Sequence, residues 1–89
     1  MRFTWSEAKR KLNVQTHGLD FVDAARVFDG PTFTFEDDRF EYSEQRFVTL
    51  GLLDGFVVSI AHTESTRQIR VISFRKATKH EQAIYFKNL

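Results

Sequence analysis

The stretch 67–87, RQIRVISFRKATKHEQAIYFK, decides how this chain folds. Residues 69–74 are β-branched and aromatic and carry cations at both ends, so they read as a strand. Thr78 and Glu81 stand at the spacing of a capping box, in which each side chain takes the other's backbone N–H. A last helix over roughly 79–88 follows from it. Across residues 67–89, six Lys or Arg stand against a single acid, Glu81, a local balance of +5 in a chain of net charge +1. Cations gathered at the ends of a sheet point to a phosphate-bearing partner.

Upstream, segments 46–53 and 56–63 flank Asp54-Gly55, the strongest short hairpin signal a sequence offers. A second hairpin turns at about 64–67. Nearer the N-terminus, Ser6 caps a helix over about 7–16 that stops at His17-Gly18, and Asp20 caps a second helix. Phe21, Ala24, Ala25 and Phe28 line one face of that helix, and Gly30-Pro31 ends it. A short strand at 32–36 and an acidic loop to Glu44 complete the middle of the chain, with a further short strand at 2–5 as an option. The expected architecture is α+β: two N-terminal helices, an antiparallel sheet of three to four strands, and a C-terminal helix.

With 89 residues, the chain is expected to form one domain over 1–89, since a second would lack its own core. Hydrophobic content of 42% and ten Phe suffice for that core. Absence of Cys removes disulfide frameworks and thiolate zinc sites. No apolar run approaches the roughly 20 residues that span a bilayer, and MRFTWSEAKRK carries no apolar leader segment. A soluble, cytoplasmic protein is the expectation. Residues 20–44 carry eight acids against Arg26 and Arg39, a balance of −6, opposite in sign to the tail. That asymmetry suits two kinds of partner surface, or simply a solvated loop.

Hairpin register supplies geometry. The Asp54-Gly55 turn pairs Leu53 with Phe56, hence Phe47 with His62 and Arg46 with Thr63. A four-residue turn at 64–67 would pair Thr63 with Gln68 and set Ala61 opposite Arg70. Arg46, His62, Arg67 and Arg70 then collect at one end of the sheet, with Arg75 and Lys76 about 20 Å away at the other. The last helix starts beside Lys76 and runs back, bringing Tyr85 toward the His62 end.

Metal-free cleavage of RNA fits this set. In-line attack by a ribose 2′-hydroxyl needs a base, an acid for the leaving 5′ oxygen, and cations for the charge on phosphorus. His62 is the candidate base or acid; Tyr85 would act as acid or orient the phosphate. Arg46 and Arg70 supply charge in the catalytic set, and Arg67, Arg75 and Lys76 are candidate RNA contacts. The competing structural reading makes His62 a hydrogen-bonded strand residue and each Arg a solvated surface group. His17 reads as a helix-terminal residue favoured by the dipole and His80 as an exposed helix residue. The histidines are too far apart for a metal motif, no HExxH, GxSxG or Gly-rich phosphate loop is present, and no metal or cofactor is expected.

Several segments together resemble the BrnT family of toxins from type II BrnT/BrnA toxin–antitoxin systems. They are FTWSEAKRKLNVQTHGLDFVDAARVF at the N-terminus, SEQRFVTLG at 43–51, His62-Thr63, and IRVISFRKATKHEQAIY at 69–85. The resemblance implies a RelE-like fold, a ribonuclease that inhibits translation and arrests growth, and neutralisation by a ribbon–helix–helix antitoxin of the BrnA kind. Operator DNA would then be bound only through the antitoxin, in a hetero-oligomer. Family-like positions include Trp5, Arg46, His62, Arg70, Arg75, Glu81 and Tyr85, whereas Phe74 stands where the family commonly has a small residue. The alternative is a non-catalytic RNA- or protein-binding module using the same basic surface.

Overall fold

A computed structural model describes every residue except Phe40 and Tyr42. In chain order it contains β1 (Arg2–Thr4), α1 (Glu7–His17), a 3₁₀ turn (Phe21–Asp23), α2 (Ala24–Phe28), β2 (Phe33–Glu36), β3 (Phe47–Leu53), β4 (Phe56–Ser65), β5 (Gln68–Lys76) and α3 (Lys79–Lys87). The strands form one sheet in the order β1-β5-β4-β3-β2. The class is α+β, as the segment order implies, but the sheet has five strands and is mixed. β1 adds to the edge of β5 in parallel, pairing Phe3 with Ile69, while the other pairs are antiparallel. Phe3 and Trp5 pack on the core and hold that strand in place. No helix among the described residues is long and apolar enough to cross a membrane.

Local chemistry accounts for the ends of the elements. Ser6 Oγ accepts the Lys9 N–H at the start of α1, and Gly18, at φ 71°, closes the helix in a left-handed conformation. Asp20 accepts the Val22 N–H, but the turn it begins is 3₁₀ before five residues of α2, shorter than the single helix expected. Asp54 and Gly55 both take positive φ (50° and 86°), the requirement of a tight two-residue hairpin. Thr78 and Glu81 form the full capping box of α3.

Two apolar layers sandwich the sheet. Phe21, Ala24 and Val27 pack on Leu53, Val58, Ile60, Val71 and Phe74, with α1 alongside. On the opposite face, Tyr85 and Ile84 of α3 pack with Val48, Leu50 and Val57. α2 approaches β3 so closely that a Cβ on Gly51 would lie 2.5 Å from Val27 Cγ1. α1 closes the free part of the β5 edge through one side chain. Asn13 Nδ2 donates to Phe74 O at 2.7 Å and Asn13 Oδ1 accepts from Phe74 N at 3.1 Å, the two-point pairing another strand would supply.

The second hairpin differs from the expected register. It turns on two residues, Thr66-Arg67, so Ser65 faces Gln68, Thr63 faces Arg70, and Ala61 faces Ser73 rather than Arg70. Register shifts once, between Ala61 and His62, leaving Ile72 as an extra residue on β5. Arg70 and Arg75 are five apart, which in a regular strand would put them on opposite faces. The bulge reverses that. Their partners Thr63 and Ser59 are four apart on β4 and therefore on one face, and so are the two arginines.

Replacing Asn13 by Ala leaves the buried Phe74 N–H and C=O without their partner. The expected loss is about 3 kcal/mol of stability, read as a lower urea midpoint at unchanged denaturant slope.

Candidate active site

Alternation along β4 separates the proposed catalytic residues into two groups. His62 pairs with Phe47, as the hairpin register implies, and with Val71, which lies in the layer beneath α2. Its ring is fully buried, edge-on to Phe28 at 5.4 Å and stacked on Phe47 at 6.0 Å. Nε2 lies 2.7 Å from Thr49 Oγ1, and Nδ1 is 3.6 Å from Glu64 Oε1, beyond hydrogen-bond length. Burial pushes its pKa down to about 4, with a weaker opposing pull from the Thr63 backbone. The imidazole is neutral at pH 7 and closed off from any substrate.

Tyr85 is equally buried, but in the other layer, among Val48, Leu50 and Val57. Its hydroxyl donates to Pro31 O at 2.9 Å, and burial raises its pKa. The expectation that Tyr85 and His62 meet at one rim is therefore corrected. They lie on opposite faces of the sheet because the last helix packs on the face away from His62.

The arginines behave differently. Arg46 extends the β2–β3 ladder by one residue, its carbonyl accepting Asp37 N at 2.8 Å, and alternation with Val48 places it on the α3 face. Arg70 and Arg75 share that face. Arg46 and Arg70 flank Thr63, while Arg75 stands opposite Ser59, roughly 13 Å along β4 from the Arg70 level. Arg75, set at the far end in the sequence reading, thus joins the others on one surface. α3 covers the Val48, Leu50 and Val57 part of this face, and beyond it Arg70 Nη1 donates to Glu44 Oε1 at 3.2 Å. Both members of that ion pair are about half exposed (47% and 52%), so it is weak.

Arg67 sits in the hairpin turn beside Arg2 and Gln68, at the same end as Arg70. Lys76 lies apart from the arginines, its ammonium 4.6 Å from the centroid of the Phe56 ring, a cation–π contact. His17 is exposed in the last turn of α1.

A cavity of about 290 Å³ opens between the end of β2 and α3. Phe35, Val48 and Ile84 form its apolar side; Arg39, Arg75 and His80 stand on its polar side with the acids Glu36, Asp37, Asp38 and Glu81. His80 was legible only as an exposed helix residue, and its position beside Arg75 depends on where α3 docks. The one available signal is its place next to the capping Glu81. Glu81 grips Arg75 through two hydrogen bonds, at 2.8 and 3.0 Å. Burial pushes the Glu81 carboxyl up, but hydrogen bonds from Arg75 and from Thr78 prevail and hold it below the usual range. Among the described residues, no group of three or more His, Cys, Asp or Glu is placed to hold a metal ion.

This is a small α+β protein with guanidinium groups ranged along one sheet face, an arrangement suited to a phosphate backbone. Residues 5–81 match the family described as "Ribonuclease toxin, BrnT, of type II toxin-antitoxin system", and the chain belongs to that family. RNA cleavage is the family's activity, and an antitoxin is the partner class its type II setting implies. Among curated proteins, none matches the chain significantly.

The buried histidine has a measurable consequence. Its folded pKa near 4 lies below the unfolded value of about 6.5, so the unfolded chain binds more protons in that window. The stabilisation is complete above pH 7 and is lost as pH falls through 6.5 toward 4. The wild type is expected to lose about 2 kcal/mol between pH 7 and pH 5 from this group alone. Urea titrations of wild type and His62→Gln at the two pH values check it, since the variant should lack that increment.

Proposed function

We propose that this chain is a RelE-like endoribonuclease that cleaves RNA without a metal, on the open part of the α3 face. The supporting observation is the placement of Arg46, Arg70 and Arg75 on one surface, brought into line by the bulge at Ile72. The strand would lie across this face with its phosphates on Arg70 and Arg75 and its continuation toward Arg67. Arg75 stabilises charge on the phosphorane as the 2′-hydroxyl attacks in line, and Arg46 and Arg70, one on each side of Thr63, hold a phosphate further along the strand. His80, the imidazole lining the neighbouring cavity, takes the proton-transfer role first assigned to His62. His62 and Tyr85 serve the site indirectly, by filling the two layers that keep the sheet rigid.

A 2′-hydroxyl nucleophile is part of the substrate, so the protein need not generate hydroxide with a metal; guanidinium groups take over charge neutralisation. We further propose that a ribbon–helix–helix antitoxin of the BrnA kind neutralises the toxin by covering this cationic face in the cytoplasm. Its own fold would bind operator DNA. Acids on the antitoxin segment would replace Glu44 at Arg70, as an RNA phosphate does.

Incubating the purified chain with total RNA in EDTA should give fragments ending in cyclic or 3′ phosphate, and a 2′-O-methylated oligonucleotide should survive. Arg70→Ala and Arg46→Ala should each slow cleavage at least about tenfold, whereas Lys79→Ala and a folded His62→Gln should stay near the wild-type rate. Cleavage that stops in EDTA would refute the metal-free chemistry. RNA bound with a steep salt dependence but left intact would make the chain a binding module instead.

A further inference from the structure

Glu81 joins two parts of the molecule that the sequence keeps separate. Its Oε1 accepts the Thr78 N–H at 2.9 Å and thereby closes the cap of α3. The same oxygen accepts Arg75 Nη1 at 2.8 Å, while Oε2 accepts Arg75 Nη2 at 3.0 Å and the Ser59 hydroxyl at 3.5 Å. The Glu81 side chain is 15% exposed and that of Arg75 36%. An ion pair held at two points and partly withdrawn from water is rigid, unlike the half-exposed Arg70–Glu44 pair.

A count of donors on Arg75 shows what this rigidity does. A guanidinium has five N–H groups. Nη1 spends two, on Glu81 Oε1 and on Lys76 O at 3.2 Å, and Nη2 spends one on Glu81 Oε2. The two left over are Nε–H and the second N–H of Nη2, which lie along one edge of the planar group and form a second fork. Arg75 lines the same cavity as His80.

We propose that Glu81 is a positioning residue: it grips Arg75 end-on, so that the Nε edge is held as a preformed two-donor fork for an RNA phosphate next to His80. This rests on the reading of the α3 face as the RNA-cleaving surface. It adds a residue that touches no substrate and acts through Arg75. Because Glu81 also caps α3, the helix carrying His80 and the strand carrying Arg75 are locked in register by one carboxylate. Orientation set before binding is not lost again when the phosphate arrives.

Glu81→Gln separates this role from helix capping. The amide oxygen can still accept the Thr78 N–H, but the amide NH₂ then faces an Arg75 N–H donor and one arm of the grip is lost. Cleavage of total RNA and binding of a 2′-O-methylated RNA oligonucleotide should be measured for Glu81→Gln, Arg75→Ala, their double variant, and Thr78→Ala. The expected result is a loss of about tenfold or more in cleavage rate for Glu81→Gln at nearly unchanged melting temperature. The double variant should be no slower than Arg75→Ala, and Thr78→Ala should lower the melting temperature while keeping its rate.

A wild-type rate in Glu81→Gln with a crippled Arg75→Ala would overturn the positioning role and leave the cleavage surface intact. A wild-type rate in Arg75→Ala would remove Arg75 from the surface itself. Equal losses of rate and melting temperature in Glu81→Gln and Thr78→Ala would reduce Glu81 to a cap. Should Glu81→Gln fail to fold, Arg75→Lys reads the same fork: it keeps the charge and removes the edge. A rate as low as that of Arg75→Ala supports the proposal, and a wild-type rate sinks it.

Discussion

β4 is hydrogen-bonded along both edges, to β3 on one side and β5 on the other, and this double ladder leaves its side chains no freedom of face. Val58, Ile60 and His62 must point together toward α2, and Ser59, Ala61 and Thr63 toward the side where α3 docks. The face taken by each candidate residue on the strands follows from that alternation. The histidine that chemistry would select first is on the closed side, held between Phe28 and Phe47, and its neutral form is the one the fold needs. Arginines on the neighbouring strands are free to converge only on the other side.

The single irregularity in this ladder matters more than its regular parts. Without the extra residue at Ile72, β5 could not present Arg70 and Arg75 on one surface while keeping Ile69, Val71 and Phe74 buried. β5, unpaired by β1 beyond Arg70, is held at Phe74 by Asn13 from α1, which supplies both hydrogen bonds that residue would otherwise lack. A buried amide in the first helix therefore supports the arrangement of cations on the far face of the sheet, through strand geometry and not through any contact with them.

Much of the framework could be read in advance because it is written in local signals. The Asp54-Gly55 turn, the caps at Ser6, Asp20 and Thr78, the glycine stop after His17, and the pairing of Phe47 with His62 each depend on a few adjacent residues. The parts read differently depend on long-range choices. β1 joined the sheet because β5 had a free edge and Phe3 and Trp5 had a core to enter. The second hairpin closed on two residues and recovered its register through a bulge, which no turn rule specifies. His80 and Arg75 became neighbours of one cavity only once α3 had settled against β3 and β4.

The amino-acid sequence by itself determined the segments, the helix ends, the first hairpin and its pairing, and the concentration of positive charge after residue 66, along with the family resemblance. These rest on backbone preferences and hydrogen bonds between near neighbours. Tertiary structure alone decided which face each strand residue serves, because a period of two states that neighbours differ without saying which of them is inside. Packing of α2 on one face and α3 on the other makes that choice. It buries His62 and Tyr85 in separate layers and leaves Arg70 and Arg75, whose charge cannot leave water without a partner, partly exposed on the α3 face.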